Sequence, residues 1–170
     1  DWDNSGLQVG NRNAEIKAAL LTVDVTESVV NEAILLGCDL IISHHPLLFR
    51  GLKQLTGSTP QERCVEQAIR HNIAIYSAHT SMDSYLHGVS GRMAEKLGVD
   101  NYRILIPSAG DMQVGLGVIG ELQEAMDNEA FVAHVANVFA APSAPLRWVE
   151  GAKKTVKKVA ICGGAGAEFV

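Results

Sequence analysis

An apolar, β-branched run, Asp39-Leu40-Ile41-Ile42, breaks off at Ser43-His44-His45-Pro46, and little else in the chain limits the fold so tightly. Gly37 stops whatever helix precedes it, so the run reads as a buried strand of a parallel sheet. The two imidazoles then stand where that strand ends. In open α/β sheets ligands bind outside the carboxyl ends of the strands, so this is where chemistry is expected. Pro46 holds His45 extended and keeps the strand from passing directly into a helix. Neighbours on an extended backbone point to opposite sides, which makes His44 and His45 awkward ligands for one ion. They suit two ions about 3.5–4 Å apart, one imidazole to each. The plainer alternative is a pair of polar residues that close a strand and bond local carbonyls.

A second strand repeats the pattern. Ile73-Ala74-Ile75-Tyr76-Ser77-Ala78 is apolar and ends in His79-Thr80-Ser81-Met82-Asp83. Two adjacent strands that both finish in His or Asp would line one rim of a sheet. Asp83 could bridge two ions there, or it could simply cap a helix over Tyr85–Leu97. His79 reads as a ligand, a donor that orients a ligand, a general acid/base, or a satisfied buried histidine.

The elements between these strands fit βαβ units. Ile16–Val25 is expected as the first core strand, with Thr26 capping a helix that Gly37 ends. Thr59-Pro60-Gln61-Glu62 carries a cap, a proline in the first turn and a capping-box glutamate. His71 reads as a favourable cation at a helix C-terminus or as a surface residue, and His87 and His134 are assigned to the surface. Trp2–Gly6 has turn chemistry before a short strand at Leu7–Val9, and Asp3 or Asn4 could line the cleft. Val114–Gly120 alternates glycine with apolar residues, as in a strand closely approached by another backbone. Asn128 is expected to cap a helix through Phe139, Arg147-Trp148-Val149 to form a strand, and Val159–Cys162 another. Lys153, Lys154, Lys157 and Lys158 taken alone would suggest phosphate or nucleic-acid contact, and a solvated, charge-protected strand edge is the reading favoured over it. Gly163-Gly164-Ala165-Gly166 could form an anion-binding nest or merely a tight turn.

Composition excludes some functions. The chain has 170 residues, 47% hydrophobic and 19% charged, with a formal charge of −5. That balance argues against a nucleic-acid binder held by bulk charge. No apolar stretch is long enough to span a bilayer, and three scattered cysteines without a CxxC pair fit a reduced, cytoplasmic setting.

Four segments taken together resemble one family: Trp2-Asp3-Asn4-x-Gly6-Leu7-x-Val9-Gly10, Ser43-His44-His45-Pro46-Leu47-x-Phe49, Ala78-His79-Thr80-x-x-Asp83 with Gly88-Val89, and Gly163-Gly164-x-Gly166. The family is that of the GTP cyclohydrolase 1 type 2 homologues, related to the NGG-interacting-factor-3-like proteins. The resemblance implies a three-layer α/β/α fold with a mostly parallel mixed sheet, as a single domain over 1–170. It implies two divalent ions per subunit, with Zn, Fe, Mn or Co all compatible with imidazole and carboxylate ligands. By motif match His44, His45 and Asp83 would be metal ligands, with His79 beside them; in a hydrolase His79 is the candidate catalytic proton carrier. A toroidal homohexamer and a nucleotide substrate are implied in the same way. Two departures stand out: the family usually shows Asn-Leu where this chain has Ser81-Met82, and Asn where it has Ser90. The family's remaining ligands, a His and a Glu four residues apart, lie beyond the Gly-Gly-x-Gly turn, so the domain is expected to be truncated at its C-terminal end, and the opening without methionine on Asp1-Trp2-Asp3-Asn4 gives the same expectation for the other end. The function expected is that of a dinuclear metal-dependent hydrolase. The alternative is a metal-stabilised ring or adaptor that binds a protein or nucleic acid without turnover.

Overall fold

The computed structural model describes residues 3–139, 145–152, 154–164 and 166. Two compact units share the chain, Asp1–Met82 and Asp83–Val170.

The first unit holds a four-stranded sheet of β1 (Gly6–Val9), β2 (Ala19–Thr22), β3 (Leu40–Ser43) and β4 (Ala74–Ser77), in the order β1-β4-β3-β2. Strands β2, β3 and β4 run parallel, and β1 pairs antiparallel with β4. Helix α1 (Glu27–Leu35) connects β2 to β3, and α2 (Pro60–Arg70) lies between β3 and β4. Parallel neighbours require such crossovers, because a tight turn can only reverse the chain. Thr26 caps α1 by accepting from the Val29 N–H, and Thr59 caps α2 by accepting from that of Glu62. Both helices bury their apolar stripes on one face of the sheet. Val30, Ala33, Cys64 and Ala68 meet the fully buried Ile41 and Ile75 there. Arg63 ties the helices together by donating to both carboxylate oxygens of Glu27, at 3.0 and 2.8 Å. The expected core strand Ile16–Val25 is shorter than its apolar sequence suggests. It forms β2 over four residues at the sheet edge, and Leu21 is 74% exposed because it points away from the face that α1 and α2 cover, in register with Ile42 and the exposed Tyr76 of the inner strand β4.

The second unit holds a different sheet. Strands β5 (Val99–Ser108), β6 (Asp111–Asp127) and β7 (Thr155–Ile161) are all antiparallel, in chain order. Helix α4 (Val89–Leu97) packs on them through Ala94 and Leu97, over a core of Val99, Ile104, Val118, Leu122 and Ile161. Glycines let the strands close up as their alternation predicts. A Cβ on Gly115 would stand 2.2 Å from the Ile106 carbonyl oxygen, and one on Gly120 2.7 Å from that of Asp100. Of the four lysines, Lys157 and Lys158 lie exposed on the edge strand β7, Lys154 precedes it, and Lys153 lies outside the described residues.

Four expectations are corrected here. The helix expected over Tyr85–Leu97 starts only at Val89, after Gly88, since Tyr85 forms a bridge with Val114 instead. Helix α5 (Asn128–Phe139) is capped by Asp127, whose Oδ1 accepts from the Ala130 N–H at 2.8 Å, and not by Asn128. Arg147-Trp148-Val149 is not a strand, and Val149 is 94% exposed. His134 is half-buried, with Nε2 3.0 Å from the Leu97 carbonyl. No helix among the described residues is long and apolar enough to cross a membrane.

Candidate metal and proton-transfer site

The site is built on the carboxyl ends of β3 and β4. Hydrogen bonding carries the ladder two residues past both strands: His44 N–H donates to the Thr22 carbonyl, His45 N–H to Val23, Ala78 N–H to Ser43 and His79 N–H to His44. Two buried serines finish the frame. Ser43 Oγ donates to the His45 carbonyl and Ser77 Oγ to that of His44, each at 2.8 Å. The backbone carrying the histidines is therefore fixed by its own bonds, independently of what the rings do.

Three imidazoles gather on this frame. The His44 and His45 ring centroids are 4.8 Å apart, and the His79 ring stands 5.7 and 6.0 Å from them, with Phe49 edge-on to it at 6.1 Å. Two of the rings carry a carboxylate on Nδ1. Asp24 Oδ1 lies 2.8 Å from His45 Nδ1, and Asp3 Oδ1 lies 2.5 Å from His79 Nδ1. The Asp24 pair is open to solvent, whereas the Asp3 pair is largely covered. Burial opposes ionisation of Asp3. Hydrogen bonds from the hydroxyls of Ser5 and Thr80, from His79 and from the Asn4 N–H overcome it and hold the carboxyl well below the usual range. A cavity of about 450 Å³ opens beside His45, lined among others by Asp24, Thr26, Ser28, Gln61 and Cys64. Burial pushes the Cys64 thiol up, so it stays neutral at physiological pH.

Asp83 belongs to the second unit. It ends the short helix α3 (His79–Asp83), and it does not cap α4, whose first turn follows Gly88. A Cβ on Gly164 would stand 3.6 Å from Asp83 Oδ2, so the Gly-Gly turn lies close to this carboxylate. Cys162 senses it as well: burial first, and the Asp83 charge second, raise its thiol. Ser90, where the family usually has Asn, is buried and accepts from the Gly163 N–H at 3.1 Å. That bond spends one N–H of the supposed nest. Ala165 lies outside the described residues.

Among the described residues, no three His, Cys, Asp or Glu side chains form a group that could hold a metal ion. In donor type the residues do fit the metals implied by the resemblance. An imidazole that gives Nδ1–H to a carboxylate keeps Nε2 as a basic lone pair, the usual state of a metal-bound histidine.

A mixed α/β protein with imidazoles on a parallel-strand rim is the class that fold and site define. Within that class the chain belongs to the Duf34/NIF3 (NGG1p interacting factor 3) family, whose model matches residues 1–170. It is 35% identical over 168 residues to a GTP cyclohydrolase 1 type 2 homolog of Clostridium perfringens, a match covering 99% of this chain and 63% of that protein. It is 33% identical over 182 residues to the Drosophila melanogaster NIF3-like protein 1, covering 99% of this chain and 58% of that one. The chain thus spans less than two thirds of these relatives' length. The crystal structure of Staphylococcus aureus protein SA1388 superposes with a TM-score of 0.86 at 28% identity, covering 99% of this chain and 67% of that one.

Sequence reasoning reached His44, His45, His79 and Asp83 but missed Ser43, Ser77 and Asp24. A serine ending each of two apolar strands was the available signal for the first two. Asp24 had none, because its 21-residue separation from His45 closes only in three dimensions.

Proposed function

We propose that the chain is part of a dinuclear metal-dependent hydrolase of the kind its relatives' name suggests, with His44, His45 and Asp83 as metal ligands and His79 as proton carrier. The observation that carries this reading is the cluster of three imidazoles on one strand rim, two of them with Nδ1 held by a carboxylate. When bound, divalent metals would lower the pKa of water and polarise the bond under attack. The chain's own part is to present the ligands: the Ser43 and Ser77 hydroxyls hold the peptide, and Asp24 orients His45. The cavity beside His45 gives a small substrate room to approach. A nucleotide is the substrate class implied by the relatives' name, and a homohexamer in the cytoplasm is the assembly and setting implied by the resemblance.

The family description also speaks of an interacting factor, which favours a second reading, a metal-stabilised adaptor without turnover. One experiment tests both. Metal content per subunit is measured by elemental mass spectrometry on this chain, on His45→Ala and Asp83→Ala, and on the full-length C. perfringens relative as reference. The same samples are then screened against nucleotides and phosphoesters. Metal lost in both variants, with turnover lost in parallel, supports the hydrolase. Metal without turnover supports the adaptor. A metal-free wild type beside a loaded reference removes the metal site from this chain.

A further inference from the structure

We propose that Asp3 is a positioning residue for His79, fixing the imidazole with its proton on Nδ1 and its lone pair on Nε2. The inference rests on the reading of His79 as proton carrier and states how that ring is made ready.

The geometry is a contact of 2.5 Å between Asp3 Oδ1 and His79 Nδ1, with the two side chains only 15% and 19% exposed. The other oxygen, Oδ2, accepts from the hydroxyls of Ser5 and Thr80. With these donors around it the carboxyl is ionised, and an ionised carboxylate only accepts. The hydrogen in the contact therefore belongs to Nδ1. In a neutral ring this leaves Nε2 as the lone pair, on an imidazole whose ring neighbours are His44, His45 and Phe49.

A rival explanation would make Asp3 a clip for the N-terminal segment. That segment is already held without it. Asn4 Nδ2 donates to the Leu48 carbonyl at 2.5 Å, Gln8 Nε2 to the Asn4 carbonyl at 2.7 Å, and Leu48 N–H to Gln8 Oε1 at 3.0 Å. Strand β1 also pairs with β4. The carboxylate of Asp3 is thus spare for orientation.

The test is long-range ¹H–¹⁵N NMR of the histidine rings in chelator-treated, ¹⁵N-histidine-labelled protein, at about pH 9, above the ordinary imidazole value near 6.5. Wild type should show His79 as a single Nδ1–H tautomer. In Asp3→Ala that tautomer should give way to a mixture, while Asp3→Asn, whose amide oxygen can still accept, should retain it. Unchanged backbone amide signals from His44 and His45, whose N–H groups sit in the first unit's ladder, confirm that the variants are folded. If Asp3→Ala fails this control, the wild-type and Asp3→Asn spectra decide. An Nε2–H tautomer in wild type, or a tautomer unmoved in folded Asp3→Ala, overturns the proposal. The measurement needs neither metal nor substrate. An inactive protein with a fixed tautomer would sink only the hydrolase reading, and an active protein with a mobile tautomer only this one.

Discussion

The two units bury similar aliphatic cores behind sheets of opposite kinds. In the first, parallel strands end together and each connection must leave through a crossover, so β3 and β4 deliver Ser43, His44, Ser77 and His79 to one rim. In the second, β5 and β6 are joined by the tight Ala109-Gly110 turn and β7 returns antiparallel, so strand ends alternate between edges. Parallel topology collects chemistry and antiparallel topology disperses it. The second unit accordingly offers its candidate group, Asp83, from a short helix, with Ser90 fastening the neighbouring glycine turn.

The comparison is broken most severely in the cores. Ile41→Ala and Ile104→Ala each empty a fully buried site, and each should cost about 3 kcal/mol in urea unfolding. Only Ile41→Ala should speed hydrogen exchange at the His44, His45 and His79 amides. Equal acceleration by Ile104→Ala would show that the rim does not depend on its own core. Next in size is Gly115→Ala, which forces a methyl against the Ile106 carbonyl and should cost roughly 2 kcal/mol. A neutral result would mean that the β5–β6 pairing can open at that point. Ser77→Ala leaves the His44 carbonyl with its bond from His79 but without the hydroxyl, and should cost about 1 kcal/mol. Its sharper readout is metal content, since the His44 carbonyl loses one of its two donors.

The first unit was the more legible in sequence, and for the same topological reason. A buried parallel strand is a continuous apolar run with a polar end, so β3 and β4 declare themselves, and the caps Thr26 and Thr59 follow from local chemistry. The resemblance supplied the family and the site residues, whose roles residue types alone left open. Long-range bonds could not be read: nothing local tells that Asp3, and not Asn4, reaches His79. Strand β5 went without an assignment, although Ala109-Gly110 between two apolar runs was a hairpin signal. Asn128 and Asp127 are both good caps, and only the strand end at Asp127 decides between them. The apolar stretch around Trp148 has strand propensity and no strand, because propensity without a partner edge does not make a ladder.

The smallest expected effect concerns acid. Glu62 is buried and accepts from the Thr56 N–H and hydroxyl, the Ser58 N–H and the Thr59 hydroxyl, joining the loop before α2 to the helix start. These bonds, led by the Thr56 N–H, lower its carboxyl relative to the ordinary value. A carboxylate depressed in the folded state stabilises fully above its unfolded value, about 4.3 for glutamate, and loses that contribution as pH falls through the lower folded value. Wild type should therefore lose stability on going from about pH 5 to about pH 3 more steeply than Glu62→Gln, which has no proton to take up. The variant should be the less stable protein at pH 7, since its amide offers one acceptor oxygen in place of two. Urea midpoints at the three pH values read both effects. Parallel acid slopes would show that Glu62 titrates alike in folded and unfolded chains, so that the loop's hold on α2 would not depend on its charge.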